Sequence, residues 1–240
     1  MTVPSEPVPM PEIVERIAAG RMAVAVWQNE LGGVTFAIGG GEEYVKVYPD
    51  VEAHLLAAEV PRLRWARRYT PVPEVLGSGP GWLHTARLAG RSAVDPRWAD
   101  DPRAAARAIG DGLRRMHDAL PVGDCPFGRP SWVPDDAPPA DRLVVCHGDA
   151  CSPNTLMADD GTFAGHVDLG DLGVADRWAD LAIATMSLDW NFPTWGHLPL
   201  AGEGFCGFQE VLLDAYGIAP DVERIAYYRR AWDEEESLAG

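Results

Sequence analysis

The fold of this chain is decided by two neighbouring stretches, CHGDACSPN at residues 146–154 and VDLGDLG at residues 167–173. In the first, Asp149 follows a short apolar run, and Asn154 comes five residues after it. In the second, Asp168 comes fourteen residues after Asn154 and opens an Asp-Leu-Gly sequence. Alone, Asp149 reads as a helix N-cap and residues 168–171 as a polar turn. The combined spacing, HGDxxxxN followed by DxG, favours a shared functional role.

Two carboxylates and an amide at this spacing fit phosphoryl transfer to a hydroxyl group. That reaction needs a group that orients the hydroxyl and accepts its proton, and divalent metal that neutralises phosphate oxygens. Mg²⁺ takes few protein oxygens and keeps its other positions for phosphate and water, so two protein ligands suffice. Asp149, Asn154 and Asp168 supply this set, whereas His147 is interpreted as a brace for the loop.

The sequence before this region predicts an antiparallel sheet with one inserted helix. Turn signals at Gly32-Gly33 and at residues 39–41 separate short β-branched and aromatic runs. A helical spacing of apolar residues lies between the third and fourth runs. The predicted strands are residues 24–27, 34–38, 44–48, 75–76 and 82–85, and the predicted helix is 51–68.

The rest of the chain predicts mainly helices, so the fold class is α+β, with a small sheet lobe followed by a larger helical lobe. The predicted helices are residues 104–120, 178–188, 205–216 and 221–232, the predicted strands 143–145 and 164–167, and the predicted loop 121–140. The domain organisation that follows is a flexible leader at 1–11, an N-terminal lobe at 12–88 and a C-terminal lobe at 89–240.

Composition excludes some classes of protein and favours others. The 240 residues carry a net charge of −16, which disfavours nucleic-acid binding and favours a cationic small molecule. No apolar run approaches the ~20 residues that span a bilayer, so no membrane partner is expected. Four cysteines without a CxxC pair indicate reduced thiols and a cytoplasmic location. The oligomeric state stays open between a monomer and a weak dimer.

A phosphate-handling group is expected in the sheet lobe. Lys46 lies mid-strand between two valines, and Glu59 on the following helix could pair with it, as kinase-type sites require; Glu52 is a less favoured partner. A solvated lysine on an edge strand is the alternative. Gly32 and Gly33 lie where a phosphate-covering turn belongs, although Gly-Gly is first of all a hairpin signal.

Together these residues resemble the aminoglycoside phosphotransferases, specifically the 3′-phosphotransferase or kanamycin kinase branch. The resemblance covers most of the chain and is most specific at residues 145–154 and 167–181. It implies a bilobal, protein-kinase-like fold that uses ATP and Mg²⁺.

The resemblance also implies roles for individual residues. Asp149 would be the catalytic base, and Asn154 and Asp168 the Mg²⁺ ligands. In the sheet lobe, Lys46 would contact the ATP phosphates with Glu59 orienting it, beside the turn at Gly32 and Gly33. The segment 85–88, which contains Thr85 and Arg87, would be the hinge that contacts adenine through backbone groups. Asp180 is interpreted as a structural brace of the catalytic loop.

The sequence departs from the family pattern in the segments expected to bind the substrate that accepts the phosphoryl group. A short proline-rich loop replaces a longer helical insert between Phe127 and Val144, Asp171 stands where an arginine is common, and Met186 where another arginine is usual. Trp190 and Asn191 replace acids of the family. The acids expected to hold substrate ammonium groups are Asp189, Asp233 and Glu234, with a solvated acidic tail at 233–236 as the alternative.

Two other functions remain open at this point. One is a kinase for a different small hydroxyl compound, which the short loop and the aromatic cluster of Trp190, Phe192 and Trp195 suggest. The other is a nucleotide-binding homologue without catalysis, against which the retention of every expected catalytic residue speaks.

Overall fold

The computed structural model describes residues 4, 6–29, 32–49, 52–98, 100–192 and 207–239, with side chains described as far as Glu234. The chain divides into two compact units. The N-terminal lobe consists of Met1–Arg68 and Val72–Leu88, and the C-terminal lobe consists of Tyr69–Pro71 and Ala89–Gly240. None of the described helices is long and apolar enough to cross a membrane.

The N-terminal lobe is a five-stranded antiparallel sheet with a helix inserted between its third and fourth strands, as predicted. The strand order is β1-β2-β3-β5-β4. Its elements are α1 (Glu12–Ala18), β1 (Ala23–Gln28), β2 (Val34–Ile38), β3 (Glu43–Val47), α2 (Ala53–Ala66), β4 (Val75–Gly79) and β5 (Trp82–Ala86).

Among the described residues of this lobe, helix α1 is an α-helix that the sequence prediction missed. It begins after Pro11, whose extended backbone suits a helix start, and it buries Val14 and Ala18 against Phe36, Ile38 and Val45 of the sheet. The helical spacing of Val14 and Ala18 was the available signal, but seven residues give too short a window for a period to stand out.

The C-terminal lobe is mainly helical and also contains two small antiparallel sheets, one of β10 and β7 and one in the order β6-β8-β9. Its described strands and α-helices are β6 (Arg91–Ser92), α3 (Pro102–Ala119), β7 (Leu143–Cys146), β8 (Thr155–Met157), β9 (Phe163–His166), β10 (Gly173–Asp176), α4 (Arg177–Asn191), α5 (Phe208–Tyr216) and α6 (Val222–Ala239). The predicted strands β7 and β9 are confirmed. Their partners β10 and β8 were not predicted, because three or four residues cannot establish an alternating pattern.

The last helix corrects one interpretation of the acidic C-terminus. Helix α6 continues to Ala239, so residues 233–236 are helical backbone and not a tail. The predicted start of the helix before it, at residue 205, lies outside the described residues, and α5 begins at Phe208.

Candidate active site

The loop between β7 and β8 contains Asp149 and depends on a glycine for its conformation. Gly148 has a φ of +89°, which residues with a side chain rarely adopt. A Cβ atom at Gly148 would lie 2.1 Å from the backbone oxygen of Asp171. The loop therefore touches the turn that follows Asp168, backbone against backbone.

Asp149 and Asn154 are held together by the Asn154 amide. Its Nδ2 donates to the Asp149 backbone oxygen at 3.0 Å and to Asp149 Oδ2 at 2.9 Å. Because a backbone carbonyl only accepts, the nitrogen must be on that side, and Asn154 Oδ1 is turned away from Asp149. Asp149 Oδ1 also accepts from the Cys151 backbone N–H at 3.4 Å.

The carboxyl group of Asp149 is a stronger proton acceptor than an ordinary aspartate. Desolvation raises its pKa, and the negative charge of Asp168 raises it further, while His147 and the hydrogen bonds from Cys151 and Asn154 act in the opposite direction. The two carboxylates are thus close enough to influence each other's ionisation.

Asp168 sits two residues beyond β9 in a left-handed backbone conformation, with a φ of +63°. Such a φ is uncommon outside glycine and is tolerated best by Asp and Asn. The next residue, Leu169, is fully buried, and the Val167 N–H donates to the Asn154 backbone oxygen at 3.0 Å. The segments that carry Asn154 and Asp168 are therefore hydrogen-bonded neighbours.

Asp180, on α4, braces the loop that contains Asp149, as the sequence predicts. Its Oδ2 accepts from the His147 backbone N–H at 2.6 Å and its Oδ1 from the Gly148 N–H at 3.1 Å. His117 Nε2 lies 2.9 Å from Asp180 Oδ2, and His117 Nδ1 lies 2.9 Å from the Tyr216 hydroxyl. This buried network joins α3, α4 and α5 to the loop. His147 is also a brace, with its Nε2 at 3.0 Å from the Val167 oxygen.

In the N-terminal lobe, Lys46 and Glu59 form the predicted ion pair. Lys46 Nζ lies 3.3 Å from Glu59 Oε2, and the Glu59 side chain is 6% exposed. Lys46 lies on β3, between β2 and β5, so it is not on an edge strand. Both observations favour the functional interpretation of Lys46 over the solvated one.

The remaining predicted nucleotide residues lie in the same sheet or next to the ends of its strands. The Gly33 N–H donates to Asn29 Oδ1 at 2.7 Å, and a Cβ atom at Gly33 would lie 2.6 Å from the Tyr48 ring, so the turn needs a glycine for packing. Thr85 pairs with Tyr44 across β5 and β3. The Arg87 backbone N–H donates to the Glu42 oxygen at 2.9 Å. Their contacts with a nucleotide stay a prediction.

Sequence reasoning missed one segment beside the catalytic loop. Residues 128–133, which we call the strap, lie within the predicted proline-rich loop. The strap's Ser131 donates from its backbone N–H and its hydroxyl to Asp171 Oδ2, at 2.7 and 3.1 Å. The buried Trp132 donates from Nε1 to the Gly148 oxygen at 2.6 Å. The departure at Asp171 therefore has a structural reason: a carboxylate can accept these two hydrogen bonds and an arginine cannot.

The residues predicted to bind the acceptor molecule lie on α4 and α6, and a half-buried arginine, Arg229, lies among them. Gln209 Nε2 donates to both oxygens of Asp189, at 2.9 and 2.8 Å, and Arg229 Nη2 lies 4.0 Å from Asp189 Oδ2. Burial lowers the pKa of Arg229, against the charges of Asp189 and Asp233. Asp233 and Glu234 are exposed on α6. Trp195 and the side chains of residues 235 and 236 lie outside the described residues.

Known proteins match this chain over most of its length. A family model described as the phosphotransferase enzyme family matches residues 33–140 and 130–228. A streptomycin 3′′-kinase of Streptomyces griseus is 32% identical over 89% of this chain and 92% of its own length. An aminoglycoside 3′-phosphotransferase of Streptomyces fradiae is 31% identical over 85% of this chain and 92% of its own.

Solved structures of aminoglycoside phosphotransferases are also similar to this chain. An aminoglycoside phosphotransferase of the 3′′-Id type from Streptomyces rimosus has a TM-score of 0.68, 27% identity and coverage of 92% of this chain and 98% of its own. The same enzyme is known in complex with ADP and streptomycin, with a TM-score of 0.61, 27% identity and coverage of 85% and 92%. The α+β, kinase-like fold predicted from the sequence is confirmed. The chain belongs to the phosphotransferase enzyme family, and its predicted resemblance to the aminoglycoside phosphotransferases is confirmed.

Proposed function

We propose that this protein transfers the γ-phosphoryl group of ATP to a hydroxyl group of an aminoglycoside. The observation that carries the proposal is the Asn154 amide, which is bound to Asp149 through its nitrogen and so directs its oxygen away from that carboxylate. One side chain thereby fixes the candidate base and would offer its oxygen to a metal ion. The relatives named for 3′ and for 3′′ phosphorylation match at nearly the same identity, so both hydroxyl positions belong to the proposal.

In the proposed reaction, Asp149 accepts the proton of the acceptor hydroxyl. The hydroxyl oxygen forms a new bond to the γ-phosphorus, the bond from that phosphorus to the β–γ bridging oxygen breaks, and ADP leaves. The raised pKa of Asp149 makes its carboxylate a better proton acceptor. Its two oxygens are held by Cys151 and Asn154, so it is oriented before the acceptor binds.

Asn154 and Asp168 fit a Mg²⁺ ion. An amide oxygen and a carboxylate are the hard oxygen ligands that Mg²⁺ prefers, and the hydrogen bond from Val167 to Asn154 keeps the two segments adjacent. When bound, Mg²⁺ would neutralise charge on the phosphate oxygens.

For the nucleotide we propose the Lys46–Glu59 pair at the phosphates, the turn at Gly32 and Gly33 beside them, and backbone groups of the segment that contains Thr85 and Arg87 at the adenine. Lys46 is held by a nearly buried carboxylate, which fixes the position of its ammonium group for contact with phosphate oxygens.

For the acceptor we propose the acids of α4 and α6, which suit a cationic small molecule. Asp233 and Glu234 are exposed, whereas Asp189 is already bound by Gln209 and lies beside Arg229. Asp189, Asp233 and Glu234 are together proposed to bind the ammonium groups of the substrate. A cytoplasmic location is part of the proposal, since the three described cysteines, Cys125, Cys146 and Cys151, form no disulfide.

The first test asks whether the protein phosphorylates an aminoglycoside. Purified protein with Mg-ATP is offered streptomycin and kanamycin, and the products are identified by mass spectrometry and NMR. We expect a product with one added phosphoryl group from at least one of them, at the 3′ or the 3′′ hydroxyl. If ATP binds but no aminoglycoside is phosphorylated, the acceptor is wrong and a screen of other hydroxyl compounds follows.

The role of Asp149 is tested by Asp149→Asn. We expect kcat to fall by about 10²- to 10⁴-fold, the usual contribution of a general base, while calorimetry shows ATP still bound. The matched control is Asp160→Asn, an exposed aspartate in the turn between β8 and β9, which should keep the wild-type kcat. Retention of full activity by Asp149→Asn would refute the mechanism.

A further inference from the structure

The strap, residues 128–133, contacts both loops of the candidate active site through consecutive residues. Ser131 binds the Asp171 carboxylate, and Trp132 binds the Gly148 backbone oxygen. Gly148 and Asp171 also touch each other through their backbones, since a Cβ atom at Gly148 would lie 2.1 Å from the Asp171 oxygen. The strap therefore spans the junction between the two loops.

The contact from Trp132 fixes the peptide group that enters Asp149. The Gly148 carbonyl and the Asp149 N–H belong to one rigid plane, and this plane can rotate easily because Gly148 has no side chain to restrict it. Asp180 holds the peptide group on the other side of Gly148, through the Gly148 N–H. The indole N–H of Trp132 holds the Gly148 oxygen at 2.6 Å and so selects one orientation of the Gly148–Asp149 peptide.

The strap is itself anchored against the rest of the C-terminal lobe. The Val174 N–H donates to the Gly128 oxygen at 2.8 Å. The Trp132 ring meets the rings of Trp232 and Tyr228 on α6 edge to face, with centroids 5.1 and 6.2 Å apart. The side chain of Trp132 is 6% exposed. A hydrogen-bond donor on so well packed a ring has little freedom to move away from its acceptor.

We propose that Trp132 is a positioning residue for Asp149, and that Ser131 and Asp171 together position the turn that contains Asp168. The proposal rests on the proposed phosphotransfer function and extends it to a segment that does not contact the reacting groups. Small displacements of a catalytic group lower the rate strongly, since a misplacement of about 1 Å can cost about 100-fold. Loss of the Trp132 donor should therefore appear in kcat more than in the binding of either substrate.

Trp132→Phe removes the donor and keeps an aromatic ring in the cluster. We expect kcat to fall by about 10- to 100-fold, with the KM values for ATP and for the aminoglycoside changed less than threefold. The matched control is Trp98→Phe. Trp98 is also a buried tryptophan of this lobe, but its Nε1 has no hydrogen-bond partner within the described part of the chain, so kcat should stay at the wild-type value.

Introducing Trp132→Phe into the Asp149→Asn protein distinguishes a positioning role of Trp132 from a general loss of structure. In the Asp149→Asn protein, Trp132→Phe should lower the remaining kcat by less than twofold, because the group that it positions is already gone. An equal fold-loss in both backgrounds, or a Trp132→Phe protein with the kcat of the Trp98→Phe control, would overturn the proposal. A lower melting temperature with unchanged kcat per folded molecule would also overturn it.

Hydrogen exchange tests the role of the strap without any aminoglycoside substrate. In the protein without ligands, Trp132→Phe should raise the exchange of backbone amides in residues 147–151, and Asp171→Ala should raise it in residues 168–173, with Trp98→Phe unchanged in both. If no aminoglycoside is a substrate, the proposed function fails but this exchange pattern still tests the strap. Unchanged exchange in both segments would show that the strap does not hold the loops.

Discussion

At the scale of single residues, the contact between Lys46 and Glu59 is the one on which the nucleotide proposal depends. Lys46 lies on β3, between β2 and β5, and its partner is nearly buried on α2. Lys46 Nζ also lies 5.7 Å from the centroid of the Tyr48 ring, a distance typical of a cation–π contact. The ammonium group is therefore held from two directions.

Glu59→Gln is expected to weaken nucleotide binding. Removing the charge leaves the Lys46 ammonium less firmly placed, and a hydrogen bond between charged groups contributes about 1.5–3 kcal/mol, which corresponds to roughly 10- to 100-fold in an equilibrium constant. The dissociation constant of ATP from calorimetry, and the KM for ATP, should rise within that range. Glu52→Gln, at the start of the same helix, is the control and should change neither. Equal effects of both substitutions would disprove the pairing.

Single residues differ in how far the sequence could predict them. Asp149, Asn154 and Asp168 lie in a spaced motif, so their proximity was foreseeable from the chain itself. The contact of Trp132 with the Gly148 oxygen and the presence of Arg229 beside Asp189 were not. Each joins segments far apart in sequence, and no local period or spacing signals such a contact.

At the scale of elements, Asp180 ties three helices to the catalytic loop. Its carboxylate accepts from two backbone N–H groups of the loop and faces His117 of α3, which in turn meets Tyr216 of α5. Burial alone would raise the pKa of the Asp180 carboxyl. The hydrogen bonds and the charge of the neighbouring histidines outweigh burial and hold the pKa below its ordinary value.

The stability that Asp180 supplies should therefore depend on pH in a defined direction. A carboxyl whose pKa is lower in the folded protein stabilises it above the unfolded value of about 4, and this contribution is lost as pH falls through the folded pKa. Asp180→Asn should lower the free energy of unfolding at pH 7 by about 1–3 kcal/mol. The difference from the wild type should shrink below about pH 4.

Urea unfolding of both proteins at several pH values measures this difference. Asp100→Asn, an exposed aspartate outside the network, is the control and should follow the wild type throughout. A difference that grows as the solution becomes more acidic would contradict the assigned direction of the pKa.

Elements were predictable according to their length. Helices such as α3 and the strands of the five-stranded sheet carry a clear period and were placed within a few residues. The strands β6, β8 and β10 have two to four residues and are defined by their partners. β6 pairs with β8, β8 also pairs with β9, and β10 pairs with β7. Their positions follow from tertiary structure.

At the scale of the whole molecule, the net charge of −16 is the dominant property. Excess negative charge attracts a cationic aminoglycoside at a distance and opposes the approach of anionic ATP. Salt screens both effects, since the Debye length falls to about 8 Å at physiological ionic strength.

The two KM values should therefore respond differently to salt. Between about 20 and 200 mM KCl, the KM for a polycationic aminoglycoside should rise several-fold, and the KM for ATP should stay level or fall. Steady-state kinetics at fixed Mg²⁺ measure both, with an equal osmolarity of sucrose as the control. Parallel increases in both constants would show that salt acts on the fold or on catalysis and not through long-range attraction.

The pairing of Ser131 with Asp171 also has an evolutionary consequence. The two residues lie 40 positions apart in the chain, yet the N–H and hydroxyl of one need an acceptor on the other. An arginine at position 171, common among the enzymes that this sequence resembles, offers only donors. A recombination event that exchanged one segment with a relative and left the other unchanged would place hydrogen-bond donors opposite one another beside the turn that contains Asp168. The strap and the Asp-Leu-Gly turn should therefore be inherited together, as one exchangeable unit.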